Sequence, residues 1–322
     1  MPQILLTNAY SPEVLKVVEA LVPGGFTFTA LPEATPQALM HAAPQADYFL
    51  ASGRLRITAD VIAAAPLLRM VQRTGVGTDG LDADALRNRQ IPVYVNRGIN
   101  ARSVAEHTVL LVLSLLRQLI PVHTQTQNAT WLKNETGLRC HSLQGKQIGL
   151  VGLGNIGTHV ARMLAPFDVQ RVYYKPQPLP AGAETELGVR YADWETLLAT
   201  SDVICLLCPL NESTRALINR DTLARMKRGV FLVNTARGPL VNEAHLAEAL
   251  HSGQVAGAAL DVFEKEPLSP DADILKAPNT VLTPHVGGLT IETFTHMMSS
   301  ALNNIRLFHH GQTQAIEANR WM

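Results

Sequence analysis

The feature that most constrains this chain lies between residues 146 and 165. An apolar run, KQIGLV, leads into Gly152-Leu-Gly154-Asn-Ile-Gly157 and then into the helical pattern IGTHVARMLA. Three glycines at this spacing are weak evidence alone. Placed between a strand and a helix, they meet the mechanical needs of a dinucleotide phosphate site. Gly152 permits the tight turn, Gly154 lets the backbone approach a pyrophosphate, and Gly157 lets helix and strand pack closely. The N–H groups of Asn155 and Ile156, at the helix start, then face the phosphates.

The rest of the chain alternates in the same way. In the first third, strands are expected at 3–8, 26–31, 46–52, 68–74 and 92–96, with helices at 13–20, 58–65 and 81–89. One long helix is expected from Asn100 to about Gln125. A second series of strands follows at 146–152, 171–175, 202–207, 229–236, 255–262 and 280–285, with helices at 155–165, 219–226, 242–250 and 290–308. Apolar runs of strand length that alternate with helical stretches indicate parallel sheets covered on both faces. The fold class is therefore α/β, with two doubly wound domains. A length of 322 residues agrees, because single cores usually stop growing at about 250–300 residues.

Composition narrows the function. Lys+Arg and Asp+Glu both number 27, so the positive excess of a nucleic-acid binder is missing. The most apolar run, 109–120, is interrupted by Ser114, Arg117 and Gln118 and is too short to span a bilayer. The first residues show no signal-peptide pattern. A soluble cytoplasmic protein without nucleic-acid or membrane partners is expected. Of the three cysteines, Cys205 and Cys208 have the spacing of a redox pair but fall in a run that reads as a buried strand. Residues three apart on a strand point to opposite faces, so both read as small buried hydrophobes. No metal site is expected, and His309 and His310, beside Gly311, read as solvated.

Two residues stand where α/β proteins place ligands, at the ends of parallel strands. Arg237 follows the strand pattern FLVNTA and precedes Gly238-Pro239; its guanidinium can grip a planar carboxylate with two bonds and polarise a carbonyl oxygen. His285 ends TVLTPH, with Gly287 and Gly288 behind it. An imidazole titrates near neutral pH and suits proton donation to an oxygen that is being reduced.

Several further motifs in order, CPLNEST (208–214), NTARGPLVNEAHLAEAL (234–250), AALDVFEKEPL (258–268) and TPHVGG (283–288), resemble the D-isomer-specific 2-hydroxyacid dehydrogenases, among them the glyoxylate/hydroxypyruvate reductase-like members. RTGVGTDGLD (73–82) and NARSVAEHTVLLVLSLLR (100–117) are similar to that family as well. The resemblance implies a Rossmann nucleotide domain, 99–287, inserted into a discontinuous flavodoxin-like substrate domain made of 1–98 and the C-terminal helix within 288–322. It implies reduction of a small 2-keto acid by a nicotinamide coenzyme, and a homodimer built on the nucleotide domain. Ending at Met322, the chain is expected to lack the regulatory extension of the longer phosphoglycerate dehydrogenases.

By the same resemblance Glu266, directly before Pro267, is the carboxylate partner of His285, in preference to Glu264. The backbone N–H groups of Val76 and Gly77 receive the substrate carboxylate. Asp261 lies near the nicotinamide, Cys208, Pro209 and Thr214 border the adenosine, and Ala236 and Gly287 complete the coenzyme contacts. Arg54 and Arg97 are additional cations in loops, Arg54 toward substrate. Two other readings remain: a nucleotide-sensing corepressor-like protein of the same fold, or a dehydrogenase taking hydride from another small anion such as formate or phosphite.

The sequence departs from the common pattern at the end of the second strand. NAD-preferring enzymes of this fold hold the ribose 2′-hydroxyl with an acid there. In RVYYKP the position falls to Lys175, while Asp168 sits at the wrong end of the strand. A lysine offers a point charge to a 2′-phosphate. NADP(H) is therefore expected to be favoured over NAD(H).

Overall fold

The computed structural model describes residues 1–52 and 55–322; Arg54 lies outside them. The chain begins β1 (Gln3–Leu6), α1 (Pro12–Leu21), β2 (Thr27–Ala30), α2 (Pro36–Ala42), β3 (Tyr48–Ala51), α3 (Ala59–Ala63), β4 (Met70–Arg73), α4 (Ala83–Asn88) and β5 (Val93–Tyr94). Next come α5 (Ala101–Leu116), α6 (Leu119–Gln127), α7 (Lys133–Gly137), β6 (Gln147–Val151), α8 (Asn155–Leu164), β7 (Gln170–Tyr174), α9 (Ala181–Leu187), β8 (Arg190–Tyr191), α10 (Trp194–Thr200) and β9 (Val203–Leu206). The last third holds α11 (Arg220–Arg225), β10 (Val230–Asn234), α12 (Glu243–His251), β11 (Val255–Leu260), β12 (Thr280–Leu282) and α13 (Ile291–His309). These elements form two compact units, one of residues Met1–Asn100 with Leu289–Met322, the other of Ala101–Gly288. The second unit is thus inserted into the first, and each has its own parallel sheet.

In the first unit the strand order is β2-β1-β3-β4-β5. Its inner strands β1 and β3 are largely apolar because both faces are covered, as parallel sheets require. Leu5, Phe49, Val71 and Val93 pack with residues of α2, α3 and α4. On the opposite face Ile4, Leu6, Tyr48, Leu50, Met70 and Tyr94 pack with Val18 of α1 and Met298, Ala301, Leu302 and Ile305 of α13. The sequence pattern assigns no helix to 36–42, yet α2 carries a start signal, with Thr35 accepting from the Ala38 amide and Pro36 in the first turn. His309 is half-buried rather than fully solvated: the buried Tyr48 hydroxyl bonds to its Nδ1 at 2.8 Å. Arg97 is exposed and donates to the Arg320 carbonyl at 3.1 Å.

The second unit has the order β12-β11-β10-β9-β6-β7-β8, all parallel. Alternation again divides its apolar strands. Val151, Ile204, Leu206, Leu232 and Leu260 join the core under α10, α11 and α12. Ile148, Leu150, Cys205, Val233 and Ala259 join the one under α5 and α8. The expected single helix over 100–125 is instead two, α5 and α6, bent by 63°. Gln118 adopts a left-handed conformation, φ 49°, which interrupts the helix although the apolar pattern runs on. Among the described residues no single helix is long and apolar enough to cross a membrane, and no cluster of three or more His, Cys, Asp or Glu could hold a metal ion.

Candidate active site

Parallel register brings the singled-out residues of the second unit to one edge of its sheet. Val151 pairs with Tyr174 and Leu206, Leu206 with Asn234, Asn234 with Leu260, and Leu260 with Leu282. Each of these residues ends its strand. The next residues are Gly152, Lys175, Leu207-Cys208, Thr235-Ala236-Arg237, Asp261 and Thr283-Pro284-His285. The strand order reverses between β6 and β9, the switch point at which doubly wound sheets bind ligands.

The glycine turn at this point shows three separate demands. Gly152 has φ +99°, and a Cβ there would lie 2.7 Å from the Cys208 amide nitrogen. A Cβ on Gly157 would lie 2.5 Å from the Gly152 carbonyl oxygen. At Gly154 a Cβ would meet nothing within 4 Å, so the backbone is open on that side. The first bond of α8 runs from Thr158 to the Gly154 carbonyl at 2.9 Å, which leaves the amides of Asn155, Ile156 and Gly157 without an intrahelical partner. An open glycine beside unpaired amides at a helix start fits a pyrophosphate.

Beyond β9, Cys208 is half-buried in a turn and outside the strand the sequence pattern predicts for it. Burial pushes its thiol up to about 11 and that of Cys205 up to about 12, so both stay protonated at neutral pH. The Thr214 hydroxyl donates to the Pro209 carbonyl at 2.9 Å and accepts from the Asn211 amide at 2.8 Å, fixing that loop. Lys175 follows β7 directly, half-buried, and pairs with no acid among the described residues. Its loop is held by Tyr173, whose hydroxyl donates to Glu184 and accepts from the Leu179 amide, both at 2.6 Å. Burial, and then the Glu184 carboxylate, raise this phenol's pKa, so it remains a donor.

Arg237 is set by its turn. The buried Asn234 side chain donates to the Arg237 carbonyl at 2.9 Å and accepts from the Ala236 amide at 3.1 Å. Gly238 is pressed so closely on the chain at Phe263 that a Cβ would sit 1.9 Å from that residue's carbonyl. The guanidinium donates back to the Ala236 carbonyl at 2.7 Å and is half-buried.

His285 is not the end of a strand. β12 stops at Leu282, and His285 lies in a turn with φ 61°, its amide donating to the Thr283 carbonyl at 3.0 Å. A left-handed histidine is uncommon and persists where its surroundings over-determine it. Its Nδ1 stands 2.9 Å from Glu266 Oε2 and 3.2 Å from Oε1. Glu266 also accepts from the Phe263 amide at 3.1 Å. Glu264 is engaged elsewhere, accepting from the Glu243 amide at the start of α12. With Nδ1 facing a carboxylate, Nε2 is left to exchange a proton with a ligand.

Asp261 is buried and holds the turn that carries His285. It accepts from the Thr283 hydroxyl at 2.6 Å and from the amides of Val286 and Gly287 at 2.9 and 2.8 Å. Burial alone would raise its pKa, but the bonds from His107, Thr283, Val286 and Gly287 outweigh it and hold the carboxyl below its ordinary value. The part played by His107 has no local sequence signal; only its place on α5 shows it. In the first unit, the turn after β4 holds Val76, exposed, and Gly77, whose carbonyl accepts from Arg73 Nε at 2.7 Å. The amides of Val76 and Gly77 make no hydrogen bond among the described residues.

A family model described as the D-isomer specific 2-hydroxyacid dehydrogenase, NAD binding domain, matches residues 109–287. A hydroxypyruvate reductase of Thermotoga maritima is 39% identical over 256 residues, 79% of this chain and 82% of that one. A glyoxylate reductase of Thermofilum pendens is 39% identical over 252 residues, 78% of this chain and 74% of that one. Among solved structures, an NAD-dependent formate dehydrogenase of Staphylococcus aureus in complex with NAD aligns with a TM-score of 0.83 and 31% identity, covering 96% of this chain and 97% of that one. The chain belongs to the D-isomer specific 2-hydroxyacid dehydrogenases.

Proposed function

We propose that this protein reduces a small 2-keto acid of the glyoxylate or hydroxypyruvate type to the D-2-hydroxy acid, with His285 as proton donor. The observation that carries this reading is the His285–Glu266 pair, held in a strained turn at the same sheet edge as Arg237 and the glycine turn. A nicotinamide coenzyme, when bound, supplies the hydride. Gly152, Gly154, Asn155, Ile156 and Gly157 hold its pyrophosphate, and Cys208, Pro209, Thr214, Ala236, Asp261 and Gly287 border the remainder. Arg237 grips the carboxylate of the keto acid and polarises its carbonyl. Glu266 orients the His285 ring, and Nε2 gives its proton to the carbonyl oxygen as the carbon is reduced. The test is a panel of 2-keto acids with formate as a control: steady coenzyme oxidation with glyoxylate or hydroxypyruvate supports the reading, and turnover of formate alone sinks it.

The coenzyme is proposed to be NADPH in preference to NADH, on Lys175. A partly exposed charge contact of this kind contributes about 1 kcal/mol, or roughly fivefold in preference. An acid in its place would add repulsion of the 2′-phosphate. The wild type is expected to show the higher kcat/KM with NADPH, and Lys175→Asp the higher value with NADH. NADH winning in both would remove Lys175 from the phosphate site.

A homodimer through the second unit is proposed as well. Leu119, Ile120, Trp131, Leu132 and Leu138 of that unit are all exposed, and large apolar side chains left in water suit a partner. Sedimentation of the wild type should give twice the chain mass of 35.0 kDa, and a monomer at micromolar concentration would overturn the assignment.

A further inference from the structure

Helix α5 buries most of one flank in the core of the second unit, yet it carries a histidine in its second turn. The His107 side chain is 14% exposed, and its Nε2 lies 3.1 Å from Thr283 Oγ1 and 3.5 Å from Asp261 Oδ1. The direction of the protons follows from the chemistry. A carboxylate only accepts, so the Thr283 hydroxyl proton is committed to Asp261 Oδ1, 2.6 Å away. Thr283 Oγ1 is then an acceptor toward His107, and Nε2 of His107 must carry the proton. An ordered chain results, from His107 to Thr283 to Asp261.

This chain ends on the turn that carries His285. Thr283 lies two residues before His285, and Val286 and Gly287, whose amides also donate to Asp261, lie directly after it. Gly287 is packed against both partners, since a Cβ there would lie 2.9 Å from Asp261 Oδ2 and 3.2 Å from His107 Cδ2. Asp261 thus grips the turn on both sides of a residue whose φ of 61° is otherwise unfavourable.

We propose that His107 is a positioning residue for the proton donor: through Thr283 and Asp261 it fixes the turn that orients the His285 imidazole. The inference rests on the reading of His285 as that donor. Buried hydrogen-bond networks with every member satisfied hold one geometry, and a small displacement of a reacting group is costly in rate.

The experiment compares His107→Phe, which keeps a ring but loses the donor, with His107→Gln, which restores an N–H, and with Thr283→Val. Three quantities are read: kcat and KM with the best 2-keto acid, the Kd of the coenzyme by fluorescence, and hydrogen exchange at the Val286 and Gly287 amides. His107→Phe should lower kcat by roughly tenfold while KM and coenzyme Kd stay within about threefold. Exchange at both amides should quicken by a similar factor, and His107→Gln should recover most of both effects. Thr283→Val should reproduce the loss, and the double variant should be no worse than either single one, because they break the same chain. Unchanged kcat and exchange in His107→Phe, or a double variant that falls by the product of the single effects, would overturn the proposal. If His107→Phe does not fold, Thr283→Val decides on the same readouts. If the wild type reduces no 2-keto acid, the functional reading fails, and the exchange data still decide whether His107 holds the turn.

Discussion

Replacement of His285 by Ala is expected to lower kcat by about 10²–10⁴, the usual worth of a positioned general acid, with coenzyme binding retained. Nδ1 is occupied by Glu266, so Nε2 is the nitrogen left for the reacting oxygen, and Ala supplies nothing in its place. The coenzyme should still bind, because the residues assigned to its phosphates sit at β6 and α8, on other strand ends. The backbone at residue 285 is left-handed, so a second variant separates chemistry from fold. Asn accepts that conformation readily and cannot act as the acid. His285→Asn should therefore lose as much turnover as His285→Ala while melting close to the wild type. Steady-state rates and thermal melts of both variants check this; near-normal turnover in either would mean that the proton comes from elsewhere.

Changing Arg237 to Lys should raise KM for the 2-keto acid by about 10–10²-fold, from the loss of roughly 1.5–3 kcal/mol of charged hydrogen bonding. Lysine keeps the charge but not the planar fork that matches a carboxylate. The turn itself should survive, because Asn234 and Gly238 hold it through the backbone and not through the Arg237 side chain. Coenzyme Kd should consequently change little. Parallel losses in substrate and coenzyme binding would show a structural arginine instead.

Features that depend on neighbours along the chain are legible in the amino-acid order. Apolar runs of strand length between helical stretches are a local property, and they specify two parallel sheets because only double-faced burial makes such runs favourable. The glycine turn is local in the same sense. Gly157 is demanded by a close backbone contact within a single strand-turn-helix and Gly152 by its φ of +99°, and the open side of Gly154 follows from that turn. Arg237 and Lys175 stand out because strands end beside them, and strand ends are visible as changes of pattern.

Features that depend on residues far apart are set by packing. The bend between α5 and α6 hides in a continuous apolar pattern, because a single left-handed residue, Gln118, leaves no mark on periodicity. His285 reads as a strand end until the turn at Thr283 and its φ of 61° are seen. Glu264 and Glu266 differ by two positions and not at all in chemistry; what separates them is that one meets the start of α12 and the other an imidazole. His107 is the extreme case. Its partners lie 154 and 176 residues away, and no local pattern encodes a hydrogen bond over that separation. Periodicity reports which face of an element is buried, whereas a polar network is set only when the packed elements bring donor and acceptor together, so the framework was legible in the sequence and the geometry of the proton donor was not.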